Sequence, residues 1–136
     1  VDSLVSNVIP LLDQRIHKLL VNVPDRSADE TLALIERVVQ GRANIMHAGL
    51  QFVELMPPGV DKAFGLEWLC KQRQINPEQI VAFGDMPNDD AMLKAAGWGV
   101  AVANAHPDTL QAADEVTGSN IDDGVAEVLE QMLRFS

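Results

Sequence analysis

The sequence predicts an α/β fold, and three observations carry that expectation. Short β-like runs alternate with longer segments of helical period, as they do where helices cross over between strands. Pro57-Pro58-Gly59 interrupts both periodicities and divides the chain into two lobes. Beyond that break, Ile80-Val81-Ala82-Phe83 is a continuous apolar run of the kind found in parallel strands buried on both faces.

In chain order, Leu4 to Leu12 has weak helical spacing. Arg15 to Val23 is β-like, with Leu19, Val21 and Val23 on one face, Lys18 and Asn22 on the other, and Pro24 closing it. Ser27-Ala28-Asp29-Glu30 reads as a capping box ahead of the stripe Leu32, Ile35, Val38 and Val39, in a helix that stops at Gly41. Asn44 to Ala48 and Gln51 to Leu55 are two short strands joined by Gly49-Leu50, which suits a two-residue hairpin turn. Past the linker, Asp61 to Arg73 has helical spacing through Ala63, Leu66, Leu69 and Cys70. A buried strand, a helix from Asp89 to Ala96, a second buried strand from Trp98 to Ala103 and a short helix from Pro107 to Ala112 follow. Glu115 to Thr117 reads as an edge strand and Asp122 to Leu133 as a closing helix. Trp68 and Trp98 are expected in the core.

Composition narrows the partners. With 136 residues, 47% hydrophobic and 22% charged, the chain can build a core and is not a disordered segment. Ten Lys and Arg against twenty Asp and Glu leave a charge of -10, which repels phosphate backbones and anionic bilayers, so neither nucleic acid nor membrane is expected as partner. No apolar run is long enough to span a bilayer, and the first residues lack the marks of a secretory signal. Cys70 is the sole cysteine, which excludes an internal disulfide and fits a reducing cytoplasm. The start at Val1 rather than Met fits a piece of something longer.

The sharpest chemical feature is Gly84-Asp85-Met86-Pro87-Asn88-Asp89-Asp90, between a buried strand and a helix. Ligands of open parallel sheets sit beyond the carboxyl ends of the strands, where Asp85 would project with Asn88 and Asp89 on the next turn. Helix capping accounts for Asn88 and Asp89 but not for Asp85. Carboxylates crowded into one small volume call for a cation, and a hard, oxygen-ligated ion such as Mg²⁺ is the natural one. Lys62 stands in the first turn of a helix, where the dipole disfavours a cation, so an anion is expected beside it: a carboxylate, a phosphoryl oxygen or both. The plainer reading is a surface lysine reaching solvent. His17, His47 and His106 have no metal-ligand spacing and read as structural or solvent-facing, although His47, near the hairpin, is a candidate to touch substrate.

The segments Gly59-Val60-Asp61-Lys62, Gly84 to Leu93 and Gly97-Trp98-Gly99-Val100-Ala101-Val102-Ala103-Asn104-Ala105 resemble the haloacid dehalogenase superfamily, and within it the Cof-type sugar-phosphate phosphatases. Ala113 to Asn120 and Asp123-Gly124-Val125 continue the pattern, with Val102 where that family often has Met. The resemblance implies residues 58–136 as the C-terminal part of a Rossmann-like core with parallel strands, and residues 1–57 as a partial α/β cap lobe, the second half of the inserted cap. It further implies Mg²⁺-dependent hydrolysis of a small phosphorylated metabolite, plausibly a sugar phosphate, through an aspartyl-phosphate. Carried over by position, Lys62 steadies nucleophile and phosphoryl group, and Asp85 coordinates Mg²⁺. Asn88 orients phosphate or a metal-bound water, and Asp89 supports the metal shell and Lys62. Such a reaction runs on positioning and charge neutralisation.

One departure is serious: the family's nucleophile and general acid stand in an Asp-x-Asp motif, and this sequence contains none. Asp25-Arg26-Ser27 lacks the second carboxylate, and Thr117 is not assigned the family's phosphate-holding Ser/Thr role. The expectation is therefore the C-terminal portion of a phosphatase, inactive alone, with apolar sheet edges that favour self-association or pairing with the missing N-terminal portion. A non-catalytic binding or assembly module of the same fold is the alternative. The phosphorylation domain of a P-type ion pump, which shares Gly-Asp-x-x-Asn-Asp, is disfavoured because no membrane helices follow.

Overall fold

The computed structural model describes residues 16–47, 49 and 51–134, so the segment Leu4 to Leu12 lies outside the described residues. Two three-stranded sheets lie on either side of Pro57-Pro58-Gly59. The first contains β1 (Leu19–Val21), β2 (Asn44–His47) and β3 (Val53–Met56) in the order β1-β3-β2, antiparallel throughout. Helix α1 (Ala28–Val39) packs against β2 and β3. Its capping box forms: the Ser27 hydroxyl accepts from the Glu30 backbone N–H at 3.2 Å, and the Ser27 N–H donates to the Glu30 carboxylate at 2.9 Å. Gln40 and Gly41 both adopt left-handed backbone and end the helix.

Three details of this lobe differ from the sequence expectation. β1 is shorter, because Asn22 leaves the ladder and its side-chain amide donates to Gln51 O at 2.9 Å. The inward face of α1 contains Ala28 and Thr31, fully buried, with Leu32, Ile35 and Val39 half-buried, whereas Val38 faces solvent. The hairpin link is five residues, 48–52, because His47 pairs with Val53. A two-residue turn at Gly49-Leu50 would slip the register by one and move Ile45 off the face it shares with Val53 and Leu55.

Gly59, at φ +74°, completes the turn into the second lobe, where an L side chain would be strained. That lobe contains β4 (Val81–Gly84), β5 (Trp98–Val102) and β6 (Glu115–Thr117), parallel and in the order β4-β5-β6. Its helices are α2 (Lys62–Arg73), α3 (Asp90–Ala95), α4 (Pro107–Ala112) and α5 (Gly124–Arg134). The parallel sheet expected from the apolar runs is therefore present.

β5 is the central strand, with Val100, Ala101 and Val102 buried and Leu93 of α3 buried above them. Each fully buried Leu or Val stabilises the fold by about 1.5–3 kcal/mol. β4 is less covered than its apolar run suggested: Val81 and Phe83 are half-buried, because among the described residues β4 has a neighbour on one side only. Trp68 is 57% exposed, against the core position expected for it, since α2 buries the Cys70 side of the helix and packs on α3.

Candidate active site

The site is built where β4 ends. Asp61 caps α2, its carboxylate accepting from the Phe64 N–H at 2.7 Å, which places Lys62 at the first helical position. Gly84 closes β4, Asp85 and Met86 follow, and Pro87 opens a single 3₁₀ turn over Pro87–Asp89 before α3 begins at Asp90. This turn folds the Asp89 side chain back beneath the strand end. Its Oδ1 accepts from the Lys62 ammonium, and its Oδ2 accepts from the Asp85 N–H at 3.1 Å and the Met86 N–H at 3.3 Å.

Asp89 is 4% exposed, so both its oxygens need partners, and both have them. Gly84 makes the approach possible: a Cβ there would stand 2.6 Å from the Asp89 Cβ. Helix capping of α3, the simple explanation for an acid here, is not what Asp89 does. No side-chain cap of α3 forms, and Asp89 instead tethers the Asp85-Met86 backbone to Lys62. The anion expected beside Lys62 is thus present.

Asp85 behaves differently. Its backbone is held from both sides, by Asp89 below and by the His106 N–H, which donates to Asp85 O at 2.8 Å. Its side chain is exposed, and no protein hydrogen bond to its carboxylate forms among the described residues. It borders a recess of about 240 Å³ with Phe83, Gly84, Val102, Asn120 and Val125. No cluster of three or more metal-ligating side chains exists among the described residues. A free carboxylate on a fixed backbone nevertheless suits Mg²⁺, which keeps several waters and is commonly held by one or two carboxylates plus substrate phosphate. Asp89 is the weaker candidate ligand, since a metal would have to displace Lys62 or two backbone N–H donors.

Of the residues singled out in the sequence, Lys62, Asp85 and Asp89 come together, with Lys62 and Asp85 joined through Asp89 rather than directly. Asn88 lies on the same turn, half-buried, and makes no side-chain hydrogen bond among the described residues. Asn104 and Asn120 carry no role in the sequence beyond the family pattern, yet in the structure they form one unit. Asn104 Nδ2 donates to Asn120 Oδ1 at 2.9 Å, while Asn104 Oδ1 accepts from the Ser119 hydroxyl at 3.0 Å and the Asn120 N–H at 3.1 Å. The loops after β5 and β6 are thereby locked beside the Asp85 recess. No short-range signal announces a pairing between residues sixteen apart.

Polar groups gather beyond the carboxyl ends of the parallel sheet of this α/β protein: a lysine anchored to a buried acid and, beside them, a carboxylate without a protein partner among the described residues. The chain belongs to the haloacid dehalogenase-like hydrolases, whose family model matches residues 2–129. It is 37% identical over 110 residues to a phosphoglycolate phosphatase of Methanopyrus kandleri, covering 77% of this chain and 47% of that protein. It is 32% identical over 123 residues to the 5-amino-6-(5-phospho-D-ribitylamino)uracil phosphatase YbjI of Escherichia coli, covering 90% of this chain and 45% of that one. The solved structure of a haloacid dehalogenase-like hydrolase from B. subtilis superposes with a TM-score of 0.75 at 31% identity, over 84% of this chain and 40% of the other. The chain thus spans under half the length of these relatives.

Proposed function

We propose that this chain carries the cation-bearing half of a phosphate monoester hydrolase acting on a small phosphorylated metabolite. The observation that supports it best is the Lys62–Asp89–Asp85 tether: one buried carboxylate presents an ammonium and a free carboxylate at a single strand end. Lys62 neutralises a phosphoryl oxygen, Asn88 supplies an amide to orient it, and Asp89 positions both Lys62 and the Asp85 backbone. Asp85 would hold Mg²⁺, whose charge offsets that of the phosphoryl group when bound. The names of the relatives, phosphatases of phosphoglycolate and of a phosphoribityl compound, fit this class of substrate.

The sequence holds no Asp-x-Asp, so a carboxylate nucleophile that would form an aspartyl-phosphate, and the general acid with it, must come from outside these residues. The edge of β4 that has no partner strand among the described residues, beside Asp85, is where we expect a strand bearing that motif to pair, and a second copy of this chain is the competitor for the edge. On this reading residues 1–57 are cap and 58–136 core, and the chain alone is inactive. No helix among the described residues is long and apolar enough to cross a membrane, and the unpaired Cys70 thiol favours a cytoplasmic setting.

Calorimetric titration with inorganic phosphate tests the reading. Phosphate should bind only with Mg²⁺ present, D85N should abolish that Mg²⁺-dependent binding, and K62A should weaken it about tenfold or more. Phosphate binding that is indifferent to Mg²⁺ and to D85N would overturn it. The missing nucleophile motif also favours a binding or assembly module of the same fold. That reading is selected if phosphate ester hydrolysis stays absent when an Asp-x-Asp-bearing half-domain is supplied.

A further inference from the structure

The loops after β5 and β6 are joined by exposed side chains. Asn104 and Asn120 both lie at the surface, yet their amides are tied into a hydrogen-bonded network instead of being left to water. The network has a direction, and backbone donors set it. The Ile121 N–H donates to the Ser119 hydroxyl at 3.1 Å, so that hydroxyl gives its own hydrogen to the Asn104 side chain. The Asn120 N–H donates to the same atom. An amide atom that receives two donors is the oxygen, which leaves Asn104 Nδ2 to donate to Asn120 and makes the accepting atom there Oδ1. The open end of the network is therefore Asn120 Nδ2, which has no partner among the described residues.

Asn120 borders the recess beside Asp85. Of the side chains around that recess, Asn120 alone can donate a hydrogen bond and Asp85 alone is charged. A bare anion does not suit this pair, because Asp85 repels it. With a divalent cation on Asp85, the order becomes carboxylate, cation, anionic oxygen, N–H, and each neighbour complements the next. Ordering an exposed amide costs side-chain entropy, and a donor already held by its own oxygen loses less on binding than a mobile one.

We infer that Asn120 is a binding residue of the phosphate site, its Nδ2 donating to a phosphoryl oxygen beside Asp85, and that Asn104 is the positioning residue that fixes which end of the Asn120 amide is left open. The inference rests on the phosphatase reading for the phosphate and its Mg²⁺, and adds a donor from the β6 side.

The full chain is titrated with inorganic phosphate in MgCl₂. Backbone amides of residues 84–89 report the phosphate, and the side-chain NH₂ signals of Asn104 and Asn120 report the network. In the parent, phosphate should move the Asn120 NH₂ signals and leave those of Asn104 nearly in place. N120A deletes the donor and should weaken phosphate binding about tenfold or more, as expected for one hydrogen bond to a charged group. N104D tests positioning. A carboxylate at 104 still accepts from Ser119 and from the Asn120 N–H but cannot donate, so the Asn120 amide turns to give it Nδ2 and leaves Oδ1 at the open end. Phosphate binding should weaken about as far as in N120A, although position 104 does not border the recess. The loss should persist in about 0.5 M NaCl, where the Debye length is about 4 Å and the added charge is screened.

Unchanged phosphate affinity in N120A, with amides 84–89 still responding, would overturn the role of Asn120 and leave the phosphatase reading standing. An N104D defect that vanishes in salt would overturn the positioning role of Asn104. Asn120 NH₂ signals that move fully with MgCl₂ alone would assign the donor to Asp85 or its hydrated cation and so overturn the phosphate contact. Amides 84–89 unmoved by phosphate in the parent would overturn both readings. The unligated parent decides independently of how the variants fold: its Asn104 NH₂ should be the pair protected from exchange and its Asn120 NH₂ the unprotected one, and the reverse order sinks the proposal.

Discussion

Lys62 and Asp89, 27 residues apart in sequence, form an ion pair that ties the first residue of α2 to the turn leading into α3. Asp89 is buried and Lys62 half-exposed, so the pair is screened on one side only. Beside it, the Asp85 carboxylate has no protein partner among the described residues. Two acids four residues apart therefore differ, one holding the fold of the site and the other making no such tie.

D89N and D85N separate these roles. Asn at position 89 leaves Lys62 without a counter-charge, and should cost about 1–2 kcal/mol in urea unfolding, a figure reduced for the exposure of Lys62. D85N should stay within about 0.5 kcal/mol of the parent and lose Mg²⁺ binding. An unfolding midpoint lowered equally by both substitutions would contradict the division.

Gly84→Ala tests the close approach beneath the strand end. The added methyl would meet Asp89 Cβ at 2.6 Å and Leu93 Cδ1 at 3.2 Å, and neither is the loose end of a flexible chain. We expect a loss of about 1–3 kcal/mol together with weaker Mg²⁺ binding. Unchanged stability would mean that the turn shifts freely and does not position Asp85.

Two buried threonines should respond in opposite directions to the same substitution. Thr109 donates to Asp90 Oδ1 at 2.8 Å, joining α4 to α3, and Thr109→Val should lower stability by about 1–2 kcal/mol. Thr31 is as fully buried, and its hydroxyl has no hydrogen-bond partner among the described residues, so Thr31→Val should be neutral or stabilising by up to about 1 kcal/mol. Thermal midpoints moving the same way in both would refute the contrast.

The α1 cap makes a pH prediction. The Ser27 backbone N–H, and then its hydroxyl, hold the Glu30 carboxyl below its usual value of 4.5. A folded-state pKa below the unfolded one means stability that is present above the unfolded value and fades as pH falls through the folded one. The thermal midpoint of E30Q should therefore lie below that of the parent at about pH 6 and converge with it toward about pH 3. A gap that stays constant across this range would show that the charge of Glu30 contributes nothing.

Legibility in the sequence follows the range of the interaction. The helix cap at Ser27-Glu30, the parallel run in β4 and the order of elements rest on neighbours within a few residues, and they are seen as expected. Where the expectation failed, a longer-range force decided. The shared face of Ile45, Val53 and Leu55 lengthened the hairpin link, and the packing of α2 on α3 left Trp68 outside. At the site, the sequence marked Lys62, Asp85, Asn88 and Asp89 as unusual and left open whether Asp89 serves a helix, a metal or a lysine.

By itself, then, the amino-acid order determined the class of fold, the place of the acidic segment at a strand end, and the absence of an Asp-x-Asp motif. Only the folded chain decided that Asp89 is committed to Lys62, that Asp85 is not, and that His47 meets His106 across the two lobes. Those outcomes depend on which segments the crossover helices and the turn at Gly59 bring within a few ångströms. Contacts between residues dozens of positions apart are set by the summed packing of whole elements, for which no local pattern in a sequence is a proxy.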